Sequence, residues 1–157
     1  MSLILRQPLA SDYKSLASWV PDALASRSWA GPKISFPFSA AELPGLLTVA
    51  GSRSYFLAEG NSSPNAFGQH WVIAEGAVHI GRIIVAPRFR RKGVGRILLE
   101  QIMGEAVRWT HATSVTLTVY RDNTAAVALY CSLGFLPVES RSNAEVNFMR
   151  LVLTSAL

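Results

Sequence analysis

One turn constrains this chain more than any other feature. The apolar stretch Ile83-Ile84-Val85-Ala86 runs into Arg88-Phe89-Arg90-Arg91-Lys92-Gly93-Val94-Gly95 and then into the helical pattern Arg96-Ile97-Leu98-Leu99. A strand that enters a helix through two glycines can turn tightly and bring its backbone close to a ligand. The helix start adds unpaired amides and the positive end of its dipole. Such a turn reads as a phosphate cradle. Five of the fifteen basic residues fall between Arg88 and Arg96, so the positive charge gathers at this loop, where it attracts a polyanion.

Two better-known phosphate loops do not fit. A Walker A loop needs Gly-Lys-Ser/Thr, whereas here Lys92 precedes Gly93 and Arg96 follows Gly95. The dinucleotide fingerprint needs a small residue three positions after its second glycine, where this chain has Leu98. What remains is Arg/Gln-x-x-Gly-x-Gly/Ala, filled by Arg90, Gly93 and Gly95.

That loop is entered through Val85-Ala86-Pro87 and followed by Asn123 and then by Leu129-Tyr130-Cys131-Ser132-Leu133-Gly134-Phe135. In this order the elements resemble the GNAT superfamily of N-acetyltransferases, over about residues 54 to 139. The resemblance implies an α/β (α+β) fold, with one domain over residues 1–157. Its central sheet would be mixed and mostly antiparallel, about six to seven strands flanked by about four helices. It implies acetyl-CoA as co-substrate, bound by Ile83, Val85, Arg90, Arg91, Lys92, Gly93, Val94, Gly95 and Arg96, with Asn123 and Tyr130 beside the pantetheine and thiol. No metal is expected.

Composition sets outer bounds. At 157 residues the chain has the size of one compact domain, able to bury roughly two thirds of its unfolded surface. Half of it is hydrophobic and 16% is charged, which argues against disorder. No apolar run approaches the roughly 20 residues of a membrane span, and the start Met1-Ser2-Leu3-Ile4-Leu5-Arg6 lacks the pattern of a secretory signal. A soluble, cytoplasmic protein is expected. Cys131 is the only cysteine, so an internal disulfide is excluded, and it reads as a small core residue. The net charge of +5 suits nucleic acid or an anionic small molecule. Because the basic residues are not interleaved with exposed aromatics, nucleic-acid binding is the weaker reading.

Along the chain, Leu3–Arg6 reads as a strand, a helix opens at Ser11-Asp12 and stops at Pro21, and residues 27–44 are irregular before a short helix from Ser39 to Leu47. Strands at 54–59 and 66–74 flank the turn Asn61-Ser62-Ser63-Pro64-Asn65, and a third covers 78–86. The helix 93–109, the strand 114–119, a helix capped at Asp122-Asn123 and ended by Gly134, and strands at 135–139 and 145–153 complete the pattern. The final strand could pair with a second copy in a homodimer. Trp29, Phe36 and Phe38 are either a wall of the acceptor pocket or ordinary core, and Trp71 and Tyr120 add further aromatic surface.

Moving an acetyl group from a thioester to an amine needs a neutral amine, a donor for the developing oxyanion, and help for the departing thiolate. A lysine-like amine with a pKa of about 10.4 is neutral in about one molecule in a few thousand at pH 7. His79 lies where histone-acetylating members of the family carry a general-base Glu. An ordinary imidazole pKa of about 6.5 would suit it to that task. Glu75 and a water chain are rivals, as is a purely structural His79. The family places a bulge in this strand that frees the amide of Val85 for the thioester carbonyl. Tyr130 is the acid by resemblance, although Ala126, Leu129, Tyr130 and Leu133 also form a core stripe at helical spacing.

The function expected is acetylation of a primary amine, on a small molecule or on a protein lysine or N-terminus, by direct attack in a ternary complex. A non-catalytic acyl-CoA-binding or regulatory module of the same fold is the alternative.

Overall fold

Twelve elements account for most of residues 2–153, the part of the chain that the computed structural model describes. They are β1 (Ile4–Arg6), α1 (Asp12–Ser18), α2 (Ala23–Ala30), α3 (Leu43–Leu46), β2 (Arg53–Ala58), β3 (Ala66–Ala74), β4 (Ala77–Val85), α4 (Val94–Thr110), β5 (Ser114–Tyr120), α5 (Thr124–Ser132), β6 (Leu136–Pro137) and β7 (Val146–Val152). The seven strands form one sheet in the order β1-β2-β3-β4-β5-β7-β6, antiparallel throughout except for the β4–β5 pair.

Successive side chains of a strand face opposite sides of the sheet, and β2 shows why its Tyr55-Phe56-Leu57-Ala58 half is continuously apolar instead of alternating. Tyr55 and Leu57 join the cluster built on α4, while Phe56 joins the cluster under α1 and α2, and all three are buried. The α4 face is carried by Leu98, Leu99, Ile102 and Ala106, each 0% exposed. Burying each leucine or isoleucine contributes roughly 2 kcal/mol. On the other face, Leu16, Trp19 and Val20 of the α1 region and Trp29 of α2 pack on Phe56, Phe67 and Ala86.

Five helices form, one more than the pattern suggests. The extra one is α2, where Pro21 ends the first helix and Asp22 caps the next, its carboxylate accepting from the Ala25 amide at 2.8 Å. Ser39 and Glu42 form a reciprocal capping box ahead of α3, shorter than the helix expected from Ser39 to Leu47. β6 shrinks to two residues. The outer edge of β7 is taken by its own chain: Leu136 and Pro137 pair with Arg150 and Met149, and the Val138 amide donates to the Phe148 carbonyl. From Phe148 to Arg150 that edge is therefore already paired within the chain. Among the described residues, no helix is long and apolar enough to cross a membrane, and no cluster of His, Cys, Asp and Glu could hold a metal ion.

Candidate active site

The site begins with a parting of strands. β4 and β5 pair in parallel only from Ala77↔Ser114 to His79↔Thr116, and beyond that register they diverge. β4 also carries a bulge toward β3. Phe67 pairs with Ile84 and Gln69 with Gly81, so the single residue Gly68 faces both Arg82 and Ile83, and Arg82 takes a left-handed φ of 54°. The expected bulge is thus present, centred two to three residues before Val85.

The register fixes what Val85 offers. The Ala86 amide donates to Asn65 at 2.8 Å, and Ala66 and Val85 form the next pair. Alternate antiparallel pairs exchange no hydrogen bonds, so the amide and carbonyl of Val85 both face away from β3, into the opening left by β5. The carbonyl accepts from Arg90 Nε at 3.0 Å. Among the described residues no acceptor takes the amide, which faces the opening.

Two cavities lie along this parting. One, of about 660 Å³, is lined by Ile83, Val85, Arg90, Arg91, Gly93, Val94, Gly95, Arg96, Asn123 and Tyr130, together with Trp19, Phe89 and Leu129. It gathers every residue expected at the acetyl-CoA site except Lys92, whose exposed ammonium instead lies 6.0 Å from the Phe89 ring centroid. Gly93 sits at φ 78° and no side chain caps α4. The amides of Val94, Gly95 and Arg96, the first of the helix, thus keep the unpaired donors that an anion needs. A Cβ on Gly95 would lie 3.3 Å from Leu129, so the close approach of α4 to α5 depends on that glycine. Arg96 spans the same gap, donating to Ser132 Oγ at 2.6 Å.

Asn123 caps α5, its side chain accepting from the Ala126 amide at 3.3 Å. Tyr130 follows on the same face two turns later, its ring edge-on to Phe135. Burial pushes the Tyr130 phenol up to about 12, so it stays protonated at any working pH. Cys131 is exposed and lines neither cavity, which corrects its reading as a core residue. The stripe through Tyr130 turns inward, and the next residue lies about 100° around the helix.

The second cavity, of about 770 Å³, is lined by Trp71, His79, Gly81 and Arg82 from the β3–β4 side, by Thr118, Val119 and Tyr120 of β5, and by the segment from Ser28 to Ile34. Ser28 and Trp29 border both cavities, so α2 stands between them. Trp29 also fixes the bulge, donating from Nε1 to the Arg82 carbonyl at 2.8 Å. Phe36 and Phe38 do not reach the cavity. They pack edge-on to each other, and Phe38 against Trp29, as core.

His79 is buried between two hydroxyls, Nδ1 2.7 Å from Thr116 Oγ1 and Nε2 3.3 Å from Thr118 Oγ1, and stacks on Phe148. Burial, helped by the nearby Arg141 charge, pushes its pKa down to about 4. The expected value of about 6.5 does not hold. Glu75 is exposed in the β3–β4 turn and borders neither cavity. Sequence reasoning missed Arg82 and the buried Gln69 that holds it. The signal was there, since a lone arginine within an apolar strand is seldom placed there without a partner.

Residues 23–135 match the acetyltransferase (GNAT) family, and the chain belongs to it. A 61-residue stretch is 43% identical to the ribosomal protein bS18-alanine N-acetyltransferase of Salmonella typhimurium, covering 39% of this chain and 40% of that protein. The match thus spans well under half of that relative's length. The crystal structure of the spermidine N-acetyltransferase of Vibrio cholerae with CoA and spermine shares the fold at a TM-score of 0.78, with 19% identity over 96% of this chain and 95% of that one. The ribosomal-protein-S18-alanine N-acetyltransferase of Escherichia coli shares it at 0.71, with 22% identity over 99% and 97%.

Proposed function

We propose that the protein transfers the acetyl group of acetyl-CoA to a primary amine, in the cytoplasm, by direct attack within a ternary complex. The observation that carries this reading is the pair of cavities meeting at α2, with the free amide of Val85 directed into the parting of β4 and β5. A CoA-bound relative of the same fold supports the donor assignment.

In this reading the α4 amides and Arg90, Arg91 and Arg96 hold the pyrophosphate, and Asn123 and Tyr130 border the pantetheine arm. The Val85 N–H donates to the thioester oxygen as negative charge develops on it. The amine nitrogen attacks the carbonyl carbon, the C–S bond breaks, and the proton lost by nitrogen ends on the thiolate. Tyr130, held protonated, donates a hydrogen bond to that sulfur. Complete transfer of its own proton would run uphill, from a phenol at about 12 to a thiol of about 8.5.

His79 serves in this scheme as a neutral acceptor that orients the Thr118 hydroxyl at the cavity wall. The amine loses its proton because apolar walls and the cations Arg82 and Lys33 disfavour a second positive charge there.

The test is calorimetric titration with acetyl-CoA and with CoA, followed by thiol release across a panel of amines. Saturable binding with thiol release from at least one amine is expected. Binding without release from any amine would favour the non-catalytic module, and no binding would remove the donor assignment.

A further inference from the structure

The second cavity has an unbalanced charge that the transfer reaction alone does not require. Among its lining residues, Arg82 and Lys33 are charged and both are cationic; no Asp or Glu borders it. The nearest carboxylate by sequence to a lining residue is Glu145, adjacent to Val146, and it is already paired with Arg27 at 3.6 Å on the surface. Lys33 is exposed at the rim, on the loop that follows α2.

Arg82 is held, not mobile. Its Nη1 donates to the Leu47 carbonyl at 3.2 Å and to Gln69 Oε1 at 3.1 Å. Gln69 is 0% exposed and is itself fixed, donating to the Leu47 carbonyl at 2.7 Å and to Ser54 Oγ at 3.0 Å. The Arg82 backbone is pinned by Trp29 at the bulge. Both acceptors therefore occupy one corner of the guanidinium, and both are neutral. Nε and Nη2 take no partner among the described residues and are not fully buried, and the guanidinium carbon lies 5.6 Å from the ring centroid of Trp71, which lines the same cavity. Burial works against the Arg82 charge. A half-buried guanidinium without a counterion among the described residues, its fork left open, is built to receive a carboxylate bidentately.

We propose that the acceptor is an amine that also carries a carboxylate, which docks on the open edge of Arg82 while Trp29, Trp71 and Tyr120 enclose its apolar part. This rests on the second cavity being the acceptor side. It excludes polyamines as preferred acceptors, since a second ammonium would enter a cavity that offers cations and no anion.

Matched pairs that differ in the carboxylate test it: phenylalanine against phenethylamine, and δ-aminovalerate against pentylamine. Each is titrated by calorimetry into CoA-saturated protein and assayed for thiol release from acetyl-CoA. At least tenfold tighter binding of the carboxylate-bearing member of a pair is expected. In Arg82→Gln that advantage should fall to within about twofold, and in Arg82→Lys it should partly return, with acetyl-CoA affinity unchanged in both as the check on folding. A short peptide with an acidic second residue, run beside the free amino acids, shows which source of the carboxylate the cavity takes. Equal or tighter binding of the uncarboxylated members overturns the proposal while leaving the transferase reading intact. Selective carboxylate binding with no thiol release from any amine does the reverse.

Discussion

Because His79 titrates at about 4 in the folded chain and at about 6.5 when unfolded, its burial has a consequence for stability. Above pH 6.5 both states are neutral and the group contributes nothing. As pH falls toward 4 the unfolded chain takes up a proton that the folded one refuses, and stability declines by roughly 3 kcal/mol across that window. His70, also pushed down by burial, adds a loss of the same sign. His79→Gln, which cannot titrate, should flatten the decline between urea denaturation midpoints at pH 7.5 and 4.5. An unchanged slope would mean that His79 is solvated in solution. In the reaction, the acid limb of kcat/KM should follow the pKa of the amine. A limb at pH 6 to 7 that vanishes in His79→Gln would instead restore His79 as the base. Tyr130→Phe keeps the ring against Phe135 and removes only the hydroxyl. We expect kcat to fall by about 10- to 100-fold with KM for acetyl-CoA within about threefold, which steady-state rates will show.

At the scale of elements, the donor side is a strand, a turn and a helix start, contiguous in the chain, and for that reason it is legible in the sequence alone. Gly95→Trp tests it directly, because a Cβ there already lies 3.3 Å from Leu129 and 3.8 Å from Val85, leaving an indole only the cavity mouth. Calorimetry should show acetyl-CoA binding lost while the far-ultraviolet circular dichroism keeps its helical signal. Binding that survives places the cradle elsewhere. The acceptor side is not legible for a physical reason: it is assembled from non-local pieces. Arg82 acquires its role through a bulge opposite Gly68 and contacts to Leu47 and Gln69, none of which a pattern along β4 reveals. The helix α2 is hidden by Pro21, which ends one helix and leaves Asp22 to start another. Burial of His79 depends on Phe148 from a strand almost seventy residues later, so its pKa cannot be read from its neighbours in the chain.

For the molecule as a whole, the parting of β4 from β5 turns one sheet into a partition with a cavity on each side of α2, and this bears on which kinetic scheme the shape allows. Both cavities exist together and share only Ser28 and Trp29 on their borders, so neither ligand has to leave before the other enters. A ping-pong route would need a nucleophile on the protein to carry the acetyl group between visits. Cys131, the one thiol, is exposed on α5 and borders neither cavity. Initial rates measured over a grid of acetyl-CoA and amine concentrations should therefore give intersecting double-reciprocal lines, and Cys131→Ala should keep kcat within about twofold. Parallel lines, together with an acetylated protein caught by mass spectrometry before any amine is added, would mean that the two cavities are used in turn and that direct attack is wrong.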